Sequence, residues 1–143
     1  MCFPSDICNY TEAGRTKIHS LQKAIDPWTL QQLMQNPIRG KSAELNDNRI
    51  SLYVAQRGKC AITGDALELG DMNVHHIIPT HLQGDDRYAN LVLLTSDAHK
   101  LVHAIQEETV QKYLLKLQNC TIHFQRLNKM RKHAGLSEIS TNR

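Results

Sequence analysis

No apolar run in this chain is longer than a few residues; Leu91-Val92-Leu93-Leu94 is typical. A membrane-spanning helix needs about 20 such residues, so none is expected. No basic stretch followed by an apolar segment opens the chain, so export by a signal peptide is not expected. The four cysteines, Cys2, Cys8, Cys60 and Cys120, are scattered, and no Cys-x-x-Cys occurs. Reduced thiols and a cytoplasmic location are therefore the expectation, rather than a disulfide framework. Internal repeats and low-complexity tracts are absent.

What is present is globular: 143 residues, 41% hydrophobic and 22% charged, with a mean hydropathy of -0.44. That length closes one core without staples. The net charge of +3 is small, but its distribution is uneven. Residues 1–58 carry seven Lys/Arg against five Asp/Glu, residues 59–108 three against eight, and residues 109–143 seven against one. An acidic middle suits a cation, and basic flanks suit a polyanion.

Local signals outline the elements. Residues 1–20 read as a loose lead-in. Asp26-Pro27 reads as a helix start, with Trp28, Leu30, Leu33 and Met34 as its apolar stripe and Pro37 as its stop. Residues 40–48 read as a linker, after which Asp47 or Asn48 caps a second helix with Ile50, Tyr53 and Val54 on one face and Gly58 as its stop. Residues 60–65 read as a short strand entering a turn. Residues 74–79 are a strand, 80–89 a loop and 90–95 a buried strand. Ser96 is expected to cap a helix that turns Ala98, Leu101, Val102 and Ile105 inward. Val110, Leu114, Leu115 and Leu117 mark a further helix. Thr121 caps a last one, with Phe124, Leu127 and Met130 inward and Gly135 closing it. Helices on both sides of a short hairpin make the fold class α+β.

Eight histidines are present, and five fall between positions 75 and 103. His81 lies in the polar loop and reads as a solvated side chain. His75 and His76 are strand neighbours and so point to opposite faces. His99 and His103 are four apart on a helix and share one face, a common way to offer two imidazoles to one metal ion. If the strand–loop–strand folds the helix back, one histidine of the first pair completes a three-nitrogen site. The other stands beside it without ligating. A cation with open positions can stabilise developing charge, and a nearby neutral imidazole can take a proton from water. That combination suffices to hydrolyse a phosphodiester. Asn90, at the end of the loop, is placed to fix loop and ring orientation.

His75-His76-Ile77-Ile78-Pro79, Gly84-Asp85-Asp86-Arg87-Tyr88, Asn90-Leu91-Val92-Leu93-Leu94, His99-Lys100 and His103 together resemble the HNH motif of the ββα-metal endonucleases. The resemblance covers residues 58–104. It implies a ββα-metal core, a short β-hairpin and loop flanked by N- and C-terminal helices. It implies His76 as general base, Asn90 as the catalytic-site asparagine that ties the loop, and His75, His99 and His103 as metal ligands. Many HNH domains also hold a structural zinc on two Cys-x-x-Cys pairs. Here Thr63 stands three after Cys60, and Thr95 and Ala98 stand where the second pair would be. That zinc site cannot form, and Cys60 is expected as a small buried residue.

A wider resemblance, to the C-terminal end of group II intron-encoded reverse transcriptase/maturases, lies in residues 36–40, 46–53, 58–64 and 127–132. It implies that residues 1–48 are a helical lead-in resembling the end of a DNA-binding region and that 49–143 are the endonuclease domain with basic C-terminal helices. A polymerase does not fit in 143 residues, so the chain reads as a fragment, a remnant or a free-standing relative.

The implied activity is metal-dependent cleavage of DNA, related to group II intron mobility; the alternative is an inactive nucleic-acid-binding module of maturase type. A structural metal-binding domain is a third reading. One divalent ion is expected, Mg²⁺ or Mn²⁺, with Zn²⁺ or Ni²⁺ as alternatives suited to three imidazoles. DNA is the expected partner, with intron RNA as a second. Arg87, Lys100, Arg126, Lys129, Arg131 and Lys132 are the candidates to grip phosphates.

Overall fold

The computed structural model describes residues 25–140; the expected lead-in at 1–20, with Cys2 and Cys8, lies outside them. The fold is α+β: five α-helices among the described residues and one two-stranded antiparallel hairpin.

The chain enters through α1 (Pro27–Gln35), started as expected by Asp26, whose carboxylate accepts from Thr29 N. Its stripe is narrower than expected. Leu33 is buried, but Trp28 and Met34 are exposed, because only one side of this helix meets the body of the protein. Helix α2 (Ala43–Ala55) starts five residues earlier than Asn48. Ser42 is the cap, its hydroxyl accepting from Leu45 N at 3.0 Å. Asn46 bonds the backbone N and O of Ile38, stitching residues expected as a linker onto the preceding turn. The boundary expected between 48 and 49 therefore falls inside a helix. Leu52 and Tyr53 of α2 face the core, whereas Val54 is exposed.

Residues 60–65 form a turn rather than a strand, closed by an isolated bridge between Lys59 and Ala66 and by Cys60 N donating to Asp65 O at 2.7 Å and Gly64 N to Cys60 O at 3.0 Å. Cys60 is buried, and its Sγ accepts from Thr95 N at 3.4 Å.

Strands β1 (Asn73–His76) and β2 (Leu91–Leu94) pair with Asn73 opposite Leu94 and His76 opposite Leu91. The side chain of Gln56 both donates to Leu93 O and accepts from Leu93 N, at 2.9 Å each, and so satisfies the outer edge of β2. Helix α3 (Ser96–His103) follows directly. Its cap is Thr95, one residue before the expected Ser96, with Thr95 Oγ1 accepting from Ala98 N. Ala98, Leu101 and Val102 are buried, while Ile105 lies past the helix end and is 80% exposed.

Helix α4 (Glu107–Lys116) buries Val110 and Tyr113 and leaves Leu115 in solvent. The last helix, α5 (Phe124–His133), is capped by His123, not Thr121, through Nδ1 accepting from Arg126 N. Leu127 and Met130 are buried and Phe124 is half-buried. The two strands and α3 make a ββα unit, and the remaining helices wrap it.

Candidate metal centre and its surroundings

The local structure that converges the histidines is short-range. In β1 alternate residues face opposite ways, so His75 turns inward and His76 outward. Only 2% of His75 is exposed, whereas His76 is half-buried. On α3, His99 and His103 stand one turn apart on the side facing β1. The ring of His75 lies 5.3 Å from that of His99 and 5.1 Å from that of His103, centre to centre; the latter two are 4.7 Å apart. One ligand atom from each lies within 4.8 Å of the others.

This trio could hold a metal ion, and two details fit one. His75 Nε2 is buried and has no hydrogen-bond partner, a state that native structures seldom tolerate without a partner group or ion. His99 Nε2 and His103 Nε2 are 3.2 Å apart, near the about 3.3 Å separating two nitrogens bound to one tetrahedral ion at about 2.0–2.1 Å. The rings are also in the right charge state. Burial, with a smaller contribution from His99 and His103, pushes the His75 pKa down to about 3. Burial, then His103, lowers that of His99 to about 4. His103 is lowered by burial and by the Arg131 guanidinium. Near neutral pH all three rings are neutral, each with one nitrogen bearing a hydrogen and the other a lone pair able to bind a metal.

His76 is on the other side of the strand. Its Nε2 lies 2.8 Å from Asp86 Oδ1. Asp86, unremarked among the sequence candidates, also accepts the Ser42 hydroxyl at 2.6 Å. Hydrogen bonds from His76 and Ser42 hold its pKa below the usual carboxylate range. No local pattern marks this contact, because Ser42 and Asp86 are 44 residues apart.

Asn90 is buried and spans the loop. Its amide donates to Ile78 O at 3.2 Å and Asp85 O at 2.8 Å, and its oxygen accepts from Ile78 N at 2.8 Å. It thus ties backbone to backbone, with no bond to an imidazole.

The expected phosphate-gripping residues divide. Lys100, Arg126, Lys129 and Lys132 are exposed. Arg87 is exposed too but pairs with Asp85 at 3.1 Å. Arg131 is a correction: it is 2% exposed and points inward. It donates to the carbonyls of Leu101, Val102, Ala104 and Ser137, so its charge closes the C-terminal end of α3 rather than meeting a partner molecule. Sequence reasoning missed Lys112 and Lys116. With Lys100 they surround one ring: their Nζ atoms lie 5.9 Å (Lys100), 5.5 Å (Lys112) and 5.1 Å (Lys116) from the centre of Tyr113. Lys100, His103 and Tyr113 line an open cleft of about 390 Å³.

No family model matches the chain. Over 90 residues, 61% of its length, it is 35% identical to the CRISPR-associated endonuclease Cas9 of Listeria innocua serovar 6a (strain ATCC BAA-680 / CLIP 11262). The chain spans about 7% of the length of that relative. The chain is thus similar to part of an endonuclease; the resemblance to group II intron proteins rests on the sequence segments alone.

Proposed function

We propose that this chain is a metal-dependent endonuclease of the HNH type that hydrolyses DNA phosphodiester bonds. The observation that carries the reading is the convergence of three neutral imidazoles on a ββα unit, with the buried Nε2 of His75 left without a partner. Similarity to part of an endonuclease supports it.

His75, His99 and His103 would hold one divalent cation, which when bound supplies positive charge beside the phosphate and the leaving oxygen. His76 takes a proton from the attacking water as the water oxygen forms its bond to phosphorus. The bond from phosphorus to the leaving oxygen breaks, and that oxygen is protonated from solvent. Asn90 keeps the loop closed behind His76. Lys100, which lines the cleft beside His103, and Lys112 and Lys116, which gather with it around Tyr113, are the best-placed residues to hold the phosphate backbone; Arg126, Lys129 and Lys132 extend that grip. A place in group II intron mobility, with intron RNA as partner, would follow from the segments at 36–40 and 127–132.

The test is nicking of supercoiled duplex DNA with Mg²⁺, Mn²⁺ or Zn²⁺. His76→Ala is expected to lower the rate by about 10²-fold or more while leaving metal affinity intact, on the usual worth of a general base. His99→Ala is expected to weaken metal binding. Full activity in His76→Ala removes the assignment; DNA binding without nicking by the wild-type chain favours an inactive nucleic-acid-binding module.

A further inference from the structure

A chain of hydrogen bonds runs from the cap of α2 to the face of β1 away from the histidine trio. Ser42 Oγ accepts from Leu45 N at 3.0 Å and donates to Asp86 Oδ2 at 2.6 Å. Asp86 Oδ1 meets His76 Nε2 at 2.8 Å. The backbone oxygen of Asp86 is held in turn by Asn48 Nδ2 at 2.8 Å. Asp86 is thus anchored twice to α2, by side chain and by backbone, and its second carboxylate oxygen is directed at His76.

An ionised carboxylate only accepts hydrogen bonds, so the Nε2 that meets Asp86 must carry a hydrogen, and in the uncharged form of the ring that leaves Nδ1 bare. We propose that Asp86 is the positioning residue of His76: it fixes the ring plane and the Nε2–H tautomer, so that Nδ1 is the nitrogen that takes the proton from water. Helix α2, through Ser42 and Asn48, holds Asp86 in place. This rests on the nuclease reading above, in which His76 is the base. A carboxylate with no such role, serving only to pin the loop, would affect folding but not the tautomer.

The experiment uses the full-length chain as wild type, Asp86→Ala and Asp86→Asn. The first readout is the ¹⁵N spectrum of the imidazole rings in the metal-free protein, with the His76 signals identified by their loss in His76→Ala. The wild type is expected to show Nε2–H with bare Nδ1, and Asp86→Ala a mixture of tautomers. The second readout is nicking at saturating metal. Asp86→Ala is expected to lose about 10²-fold in kcat with KM within about twofold, because the loss lies in proton transfer rather than binding. Should Asp86→Ala unfold, Asp86→Asn decides. Its amide can turn an N–H toward the ring and favour the wrong tautomer, and a loss of about tenfold or more is expected.

Nδ1–H in the wild type overturns the proposal, and so does unchanged kcat in Asp86→Asn. A wild-type chain that nicks no DNA with any of the three metals removes the nuclease reading and this role together. That failure is told apart by appearing in the wild type.

Discussion

His75 and His99 show how a few buried rings couple this site to the stability of the chain. Both are held neutral by burial, with pKa values of about 3 and about 4 against an ordinary 6.5. In the unfolded chain the same rings take up protons as the pH falls below 6.5. The unfolded state then binds more protons than the folded one, so the stability these rings contribute is full above pH 6.5 and declines from there toward their folded pKa values. The melting temperature of the metal-free chain is expected to fall between pH 6.5 and 5, where most carboxylates are still ionised. His99→Gln, which removes one of these titrations, is expected to flatten that slope. A level profile in the wild type contradicts the burial of these rings.

Arg131 is the second residue whose environment decides its role. Its position was readable in outline: Leu127, Met130 and Arg131 fall at i, i+3 and i+4, one face of α5, and all three are buried. Residue type pointed the other way, since arginines are mostly exposed. The resolution is that four carbonyls surround the guanidinium. Arg131→Met is expected to cost about 2–4 kcal/mol, because it leaves buried acceptors unpaired. Lys132→Met, one residue on and exposed, is expected to change stability by less than about 0.5 kcal/mol. Equal effects of the two in urea denaturation would sink the argument.

At the scale of elements, the loop between β1 and β2 carries most of the site's precision. It folds back on itself so tightly that a Cβ on Gly84 would collide with the Ile78 carbonyl oxygen, while Gly84 N donates to Pro79 O at 2.9 Å. Only glycine fits where backbone meets backbone at that range. Gly84→Ala is expected to push the loop off Asn90 and separate Asp86 from His76, lowering nicking by about tenfold or more while α5 keeps its protection in hydrogen exchange. Unchanged nicking would mean that the loop does not position His76. The histidine pattern of β1 and α3 was legible because it depends on spacing within single elements. The loop's internal ties were half legible: Asn90 stood out, but its partners are backbone groups that no side-chain pattern marks. The start of α2 was misplaced because Ser42, Asp47 and Asn48 are all good caps. Packing of Leu45 against the core selects among them.

At the scale of the whole molecule, the basic C-terminal portion is less uniform than its charge implies. Residues 109–143 carry seven Lys/Arg, but Arg131 faces inward and Arg126 donates to Ala61 O at 3.1 Å. Three lysines on two helices, Lys100, Lys112 and Lys116, gather instead around the ring of Tyr113. Three ammonium groups around one ring repel one another, and cation–π attraction offsets this only in part at exposed sites, about 0.5–1 kcal/mol each. A phosphate backbone across them would relieve that repulsion and release its own counterions. If the strand runs across these three lysines, Lys112→Gln with Lys116→Gln is expected to reduce the slope of log affinity against log salt by about 0.9 per lysine on duplex DNA. The loss should be uniform across sequences, since phosphate contacts carry no base information. Binding to a fluorescent duplex, titrated with salt in Ca²⁺ to suppress cleavage, reads the slope directly. A slope unchanged in the double variant would place the strand elsewhere, with Lys129 and Lys132 on α5 the next residues to neutralise.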